Sequence, residues 1–378
     1  MNITVKEIST ADGQAWNQLV GNSPQRTVFV EDEFLTMWTE TNPTFHLTRI
    51  GCYDDKQRLI GGQAFLHKKV LGIRLSTILN IFYASTPLLN APTPDEQDIQ
   101  AEILNALAGY VRKKLPFMLV EAHPSLMDVR PYLYNGWEAA REYTHLWDLR
   151  NLDLLMDNMH RKGKTIKKAQ KQFVITRETG AEAVAKFAKL YKTTMQKFNW
   201  KPSRHWTEIL QEQVKWMETR DMFRLYSCHT LEGELAGMTT LILSHTNRTA
   251  YGWMMGYNPS SKNREWGPVL QYYTAQELAS NFDFMDFGEG TRETIYVTKD
   301  NIGTTSVPFW VLRTKQTHHW LEAYEKIKNI RYALTSKNLF RLARDLKETI
   351  DRNLIFTDQE SIQKRRSDDC NRQRNSNR

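Results

Sequence analysis

Asp54-Asp55-Lys56-Gln57-Arg58-Leu59-Ile60-Gly61-Gly62-Gln63-Ala64-Phe65-Leu66 and Leu231-Glu232-Gly233-Glu234-Leu235-Ala236-Gly237-Met238-Thr239-Thr240-Leu241 say one thing twice. In each, a polar turn separates an incoming strand from a strand whose apolar residues begin just before a glycine. The two glycines lie 176 residues apart (Gly237 minus Gly61). A helical stretch follows each hairpin, over 95–114 and 268–282, and then a short apolar strand, over 117–120 and 284–287. Hairpin, helix, strand is the order of one α+β layer unit. The repeat predicts two such units with mixed central sheets, and a ligand-binding cleft between similar halves.

Outward from these hairpins, 378 residues are too many for one ordinary core and suit two domains. The expected boundaries are 1–150 and 151–315, followed by a helical extension over 316–356 and a disordered basic tail over 357–378. With 40% hydrophobic and 11% aromatic residues, both units can bury a core. No stretch approaches the roughly 18 apolar residues of a membrane span. The start, Met1-Asn2-Ile3-Thr4-Val5-Lys6-Glu7-Ile8, alternates like a strand and lacks the apolar core of a signal peptide. Cys52, Cys228 and Cys370 are widely spaced and have no CxxC company. That argues against a disulfide framework or a metal site and for a reducing, cytoplasmic compartment. The net charge of +8 favours anionic partners: coenzyme phosphates, a lipid- or nucleotide-linked precursor, transfer RNA or an acidic membrane face. A DNA-binding role rests on charge alone and is not expected.

Three segments carry candidate chemistry. Arg161, Lys162, Lys164, Lys167, Lys168 and Lys171 occur with no acid between Asp157 and Glu178. Such runs are commonly solvated faces, yet this one stands at the junction of the halves, so Lys164, Lys167 and Lys168 become candidate substrate-binding residues. Met285-Asp286-Phe287-Gly288-Glu289-Gly290-Thr291 closes a short strand, with Tyr296 and Lys299 downstream. Carboxylates at strand ends beside glycines are common in α/β active sites. Arg264-Glu265-Trp266-Gly267-Pro268-Val269 precedes a helix and partly resembles the loop with which acetyltransferases hold coenzyme A pyrophosphate. It nominates Arg264, Trp266, Gly267 and Val269 as cofactor-binding, although Val269 replaces a small residue and Pro268 removes an amide donor. No serine elbow, P-loop, HExxH pair or Rossmann glycine set is present, and the adjacent His318 and His319 do not share a helical face. Between Trp320 and Ile350 apolar residues recur at helical spacing, as in amphipathic helices that pack on the body or touch a bilayer.

Taken in order, these segments resemble the Fem-type aminoacyltransferases and the related GNAT-like acyltransferases of cell-envelope and polysaccharide pathways. The resemblance spans about residues 10–315. It is carried by Trp16, Ser23-Pro24 and a Val28-Phe29 strand. The central strand Tyr143–Leu149 is followed by Lys164-Thr165-Ile166-Lys167-Lys168-Ala169, similar to the family's basic helix. Asp286-Phe287-Gly288, Lys299 and Gly303 resemble its "DFG…K…G" signature. Thr298 and Ile302 stand where that signature usually has aromatic residues.

The resemblance implies a double GNAT fold and transfer of an acyl group, acetyl-type from acyl-CoA as co-substrate, to an amine or hydroxyl of an envelope or polysaccharide precursor. No tightly bound cofactor is implied. An alternative is the Fem-type reaction, with aminoacyl-tRNA as donor and a peptidoglycan precursor as acceptor. Another is a non-catalytic scaffold of the same fold. In the transfer reaction Lys299 is expected to stabilise the developing oxyanion or a donor phosphate. Glu289 is expected as the base. Asp286 is expected to be partly structural, capping nearby backbone.

Overall fold

The protein is seen in a computed structural model that describes residues 2–9, 12–70, 73–76, 82–90, 97–196, 200, 202–261, 263–289, 293–314 and 317. Apart from Thr317, the expected helical extension and basic tail, with His318, His319 and Cys370, lie outside these residues.

The first half runs β1 (Thr4–Glu7), α1 (Gly13–Asn22), α2 (Asp32–Thr41), β2 (Phe45–Tyr53), β3 (Leu59–Val70) and β4 (Ile73–Ser76). It continues through β5 (Leu88–Leu89), α3 (Gln97–Lys114), β6 (Leu119–Glu121), α4 (Arg130–Tyr134) and β7 (Trp137–Asp148). Helices α5 (Leu152–Asn158) and α6 (His160–Ala169) form the junction. The second half then repeats the order: β8 (Phe173–Glu178), α7 (Gly180–Gln196), α8 (Trp206–Glu218), β9 (Phe223–Thr230), β10 (Leu235–Ser244) and β11 (Thr249–Tyr257). It ends with α9 (Trp266–Leu278), β12 (Phe284–Glu289), α10 (Glu293–Asn301) and β13 (Thr305–Thr314). The Val28-Phe29 strand expected from the resemblance is instead a 3-10 turn, Val28–Val30, with all three side chains buried. Its Val28 N–H has no strand partner and donates to the Ser244 hydroxyl of β10 at 2.9 Å.

The duplication is visible at single residues. Cys52 pairs with Gly61 across β2 and β3, and Cys228 pairs with Gly237 across β9 and β10. The two cysteines stand at the same 176-residue spacing as the two glycines, and both ladders carry an irregularity beside that pair. Their turns match too: Gln57 and Gly233 each hold the left-handed conformation, at φ 57° and 85°. Burial explains the small residues. A Cβ on Gly237 would lie 2.3 Å from the Trp266 ring of α9, and one on Gly61 would lie 2.5 Å from Ile103 of α3. Each glycine lets the helix that follows its hairpin, α3 or α9, lie against its sheet.

The halves then exchange their last strands. The eight-stranded sheet has the order β6-β13-β7-β12-β11-β10-β9-β8. Thus β7 of the first half pairs with β12, and β13 of the second half pairs with β6. A shift of 167 residues (Gly303 minus Gly136) carries the pair Leu119–Arg313 toward Asp286–Leu146 and reflects the β7–β13 ladder onto itself. The ladder's centre is the Glu142–Phe309 pair. Around this shared sheet lie three apolar clusters. One lies under α3 and includes Leu107, Val111 and Trp137; one lies under α9 and includes Trp147, Trp266 and Leu270. The third joins Phe29, Phe34 and Tyr83 of the first half to Phe187, Met238 and Tyr251 of the second. Met1–His318 accordingly forms one compact unit.

Candidate active site

β11 and β12 are the one parallel pair among the ladders of named strands, and they stay together only briefly. Thr249, Ala250 and Tyr251 pair with Phe284, Met285 and Asp286. Beyond that point β11 runs on to Tyr257 and β12 to Glu289 with no further pairing between them. The strands splay into a wedge whose crotch is Gly252, where an added Cβ would meet only the Asp286 carbonyl oxygen at 3.4 Å and the Phe287 Cα. A splay exposes strand N–H and C=O groups that a bound ligand can pair with.

On the β12 side the chain satisfies its own carbonyls. The ladder to β7 is irregular between Asp286 and Glu289, and Gly288 sits at φ 73°. Three successive carbonyls turn toward α10, and the Lys299 ammonium donates to all of them: Phe287 and Gly288 at 2.8 Å and Glu289 at 2.7 Å. Burial lowers the Lys299 pKa to about 8, against the opposite pull of Asp286 and Glu289. With its three protons on carbonyls, Lys299 is a clamp on the wedge wall. A contact to a substrate oxyanion requires one of these bonds to open.

Asp286 is fully buried. One carboxylate oxygen accepts from the Thr144 hydroxyl and from the Gly288 N–H at 2.7 Å; the other accepts from the Tyr83 hydroxyl at 3.3 Å. Burial pushes its pKa up, and these donors together with Lys299 pull it back. Tyr83 comes from the first half and holds a left-handed backbone at φ 55°, a cost a bulky residue bears only where its surroundings fix it. Asp286 therefore pins the two halves together. Tyr296 is not part of this group. Its ring meets the edge of His145, 5.7 Å away, and His145 and Thr144 are successive residues of β7 that face opposite sides of the sheet.

Glu289 is exposed at the end of β12, and two carboxylates absent from the sequence-level candidates feel it. Glu121, at the end of β6, has its pKa raised to about 7, first by burial and then by Glu289. Glu142, at the centre of the β7–β13 ladder, is raised by the same two causes in the same order. No Lys, Arg or His among the described residues pairs with any of the three as an ion pair. A carboxyl titrating near neutrality can accept a proton from an incoming ammonium group. The signal in the sequence is that Phe117-Met118-Leu119-Val120-Glu121 repeats the apolar strand Phe284-Met285-Asp286-Phe287 and ends on an acid.

Beyond the open end of β11, α9 starts at Trp266. Trp266, Gly267 and Val269 are buried and Arg264 is exposed. The Trp266 and Val269 side chains belong to the core under α9, so neither faces a ligand. What this loop offers is backbone. The first helical bond is Val269 N–H to the Glu265 carbonyl at 3.1 Å, which leaves the Trp266 and Gly267 amides outside the helical ladder. The Ser261 hydroxyl in the same loop is buried and without a partner. Glu265 pairs with Lys162 of α6 at 2.6 Å, bringing the basic helix alongside. Lys164, Lys167 and Lys168 are all exposed and have no ion-pair partner among the described residues. They accompany the α9 start, while Asp286, Lys299 and Glu289 occupy the wedge wall. Among the described residues no cluster of His, Cys, Asp and Glu could hold a metal ion.

Two halves of this order with exchanged final strands, and a wedge beside a helix start, define a tandem GNAT fold. Residues 153–294 match the family model described as an acetyltransferase (GNAT) domain. Among solved structures the chain is similar to FemX, at 13% identity and TM-score 0.60, covering 84% of this chain and 99% of that one. It is also similar to the C-terminal domain of a lysylphosphatidylglycerol synthetase from Agrobacterium fabrum, at 10% identity and TM-score 0.50, covering 84% and 96%. A GNAT-family acetyltransferase from Colwellia psychrerythraea gives 12% identity and TM-score 0.50, covering 82% and 98%. At these identities the likeness is one of fold. Comparison with curated proteins gives no match.

Proposed function

We propose that the protein transfers an acyl group from a thioester donor, acyl-CoA, to an amine acceptor. The observation that carries this reading is the wedge between β11 and β12, open beyond Tyr251 and Asp286 and followed directly by the α9 start. The acyl chain lies along the splayed strands, and donor phosphates meet the Trp266 and Gly267 amides with Lys164 and Lys168 nearby. The acceptor amine enters among Glu121, Glu142 and Glu289, whose charge favours an ammonium group. Glu121 takes its proton. The amine nitrogen then attacks the carbonyl carbon, the new C–N bond forms, the C–S bond breaks, and the coenzyme leaves as the thiol after taking up a proton. The resemblance supports an acceptor that is a lipid- or nucleotide-linked envelope precursor, and coenzyme and precursor both suit a cytoplasmic setting. No helix among the described residues is long and apolar enough to cross a membrane.

The test is thiol release from an acyl-CoA panel with amine acceptors. The expected rate rises with pH through about 7, where Glu121 loses its proton, and this limb disappears in Glu121→Gln. Absence of thiol release across the panel sinks the reading. The Fem-type alternative, aminoacyl-tRNA as donor, is favoured by Lys164, Lys167 and Lys168, exposed together on α6, with Lys171 exposed in the turn that follows. Transfer from aminoacyl-tRNA without thiol release is the outcome that selects it. The scaffold alternative is favoured by Glu265 at the helix start, which opposes phosphate, and predicts neither activity.

A further inference from the structure

We infer that the corner formed by the end of α3, the turn before α4 and α4 itself docks on an anionic bilayer surface. Three large apolar side chains protrude there: Met127 at 80% exposure, Tyr134 at 79% and Leu133 at 43%. The sequence dictates why they point outward. Within α4, Pro131 and Tyr132 are buried, and Tyr132 is anchored by its hydroxyl to Gln63 at 2.9 Å and by its ring to Trp137. Arg130, Leu133 and Tyr134 are thereby left on the opposite, solvent side.

Beside this apolar tip runs uncompensated positive charge. Arg112, Lys113 and Lys114 end α3, all exposed, and none has a carboxylate partner among the described residues. Arg112 is fixed at the tip, since its guanidinium donates to the Asn135 carbonyl, one residue beyond Tyr134. The one acid in the corner, Asp128, is already held by Arg130 through two bonds of 2.9 Å. Cations at a helix C-terminus complement the helix dipole in any protein, but that leaves the three exposed apolar residues beside them unexplained.

The chemistry selects the partner. Protein interfaces bury on the order of 800 Å² per side and are depleted in lysine, whereas this corner offers three exposed apolar side chains with two lysines and an arginine beside them. Short apolar prongs that enter the headgroup region, a tyrosine at their margin and basic side chains reaching for anionic lipids are the components of interfacial binding. The inference is independent of the transfer reaction and stands or falls without it.

The experiment is co-sedimentation of the full chain with phosphatidylcholine vesicles, with and without phosphatidylglycerol. Binding is expected to the anionic vesicles only, and to fall with added salt. The double variants Met127→Ser/Tyr134→Ser and Lys113→Glu/Lys114→Glu are each expected to reduce partitioning by about tenfold or more, with the melting temperature unchanged in the first, whose replaced side chains are exposed, and slightly lowered in the second, which places acids at the end of α3. Both variants retain residues 319–378, so binding through that segment would survive in them. Undiminished binding in both variants, or no binding to anionic vesicles, overturns the proposal. A concentration-dependent dimer in sedimentation velocity that Met127→Ser/Tyr134→Ser abolishes overturns it in favour of a second copy of the chain.

Discussion

Lys299 and Glu121 show how far a residue's role depends on neighbours from distant parts of the chain. The spacing of Asp286, Gly288 and Lys299 could be read from the sequence, but the three carbonyls that Lys299 binds are created by an irregular ladder that no local pattern announces. Lys299→Met leaves these carbonyls without a donor, at a cost of about 1–3 kcal/mol. The melting temperature and donor affinity are expected to fall together. A turnover loss with both unchanged would restore the oxyanion role. The pH dependence separates the effects further. Because the pKa of Lys299 in the folded chain, about 8, is below its ordinary value of 10.5, the unfolded chain binds more protons between those values. This group then makes stability rise with pH across that window, while the clamp loses one of its three protons and donor binding weakens. Glu121 has the opposite sign. Its pKa is raised from 4.5 to about 7, so its contribution to stability is present below the lower value and lost as pH rises through the upper one. Glu121→Gln is expected to be more stable than the parent above pH 7, by thermal melting, and slower in transfer, without the rise in rate near pH 7. Glu121 escaped the sequence-level candidates because its companions, Glu142 and Glu289, come from two other strands.

The hairpins are the elements that the sequence discloses best. Turn residues and period-two alternation are local, and the Cys–Gly pair repeats at constant spacing because the same helix-on-sheet contact is built twice. Gly237→Ala drives a methyl group into the Trp266 ring, 2.3 Å from the ideal Cβ. Overpacking of this kind costs about 1–3 kcal/mol, and displacement of Trp266 shifts the start of α9. A lower melting temperature with weaker donor binding is the expected result, measured by calorimetry on one sample. The acetyltransferase-like loop illustrates the limit of local reading. Trp266 and Val269 have the right position along the chain, but a helix must bury one face, and theirs is the buried one.

For the whole molecule, the exchange of β7 and β13 could not be read at all, since β6 and β13 meet only after the entire second half intervenes in sequence. Non-local pairing of this kind leaves no periodic trace. Its consequence is that the eight-stranded sheet is complete only with strands of both halves, although the first half also holds a five-stranded sheet of its own, β1-β2-β3-β4 with β5 on β3. Residues 1–149 or 150–318 expressed alone are expected to be insoluble or to melt without a cooperative transition, and co-expression to restore one transition. Two independently folding halves would refute the exchanged arrangement.

The central claim is that the β11–β12 wedge of the second half holds an acyl thioester. Its most direct test is isothermal titration of acetyl-CoA into the full chain and into Gly252→Leu, which places a side chain at the crotch of the wedge from a Cβ that makes only ordinary contacts with the Asp286 carbonyl oxygen and the Phe287 Cα. Saturable binding at one site per chain is expected in the parent, and its loss in the variant at unchanged melting temperature. Absence of saturable binding up to about millimolar ligand, or equal binding by the two proteins, would contradict the claim.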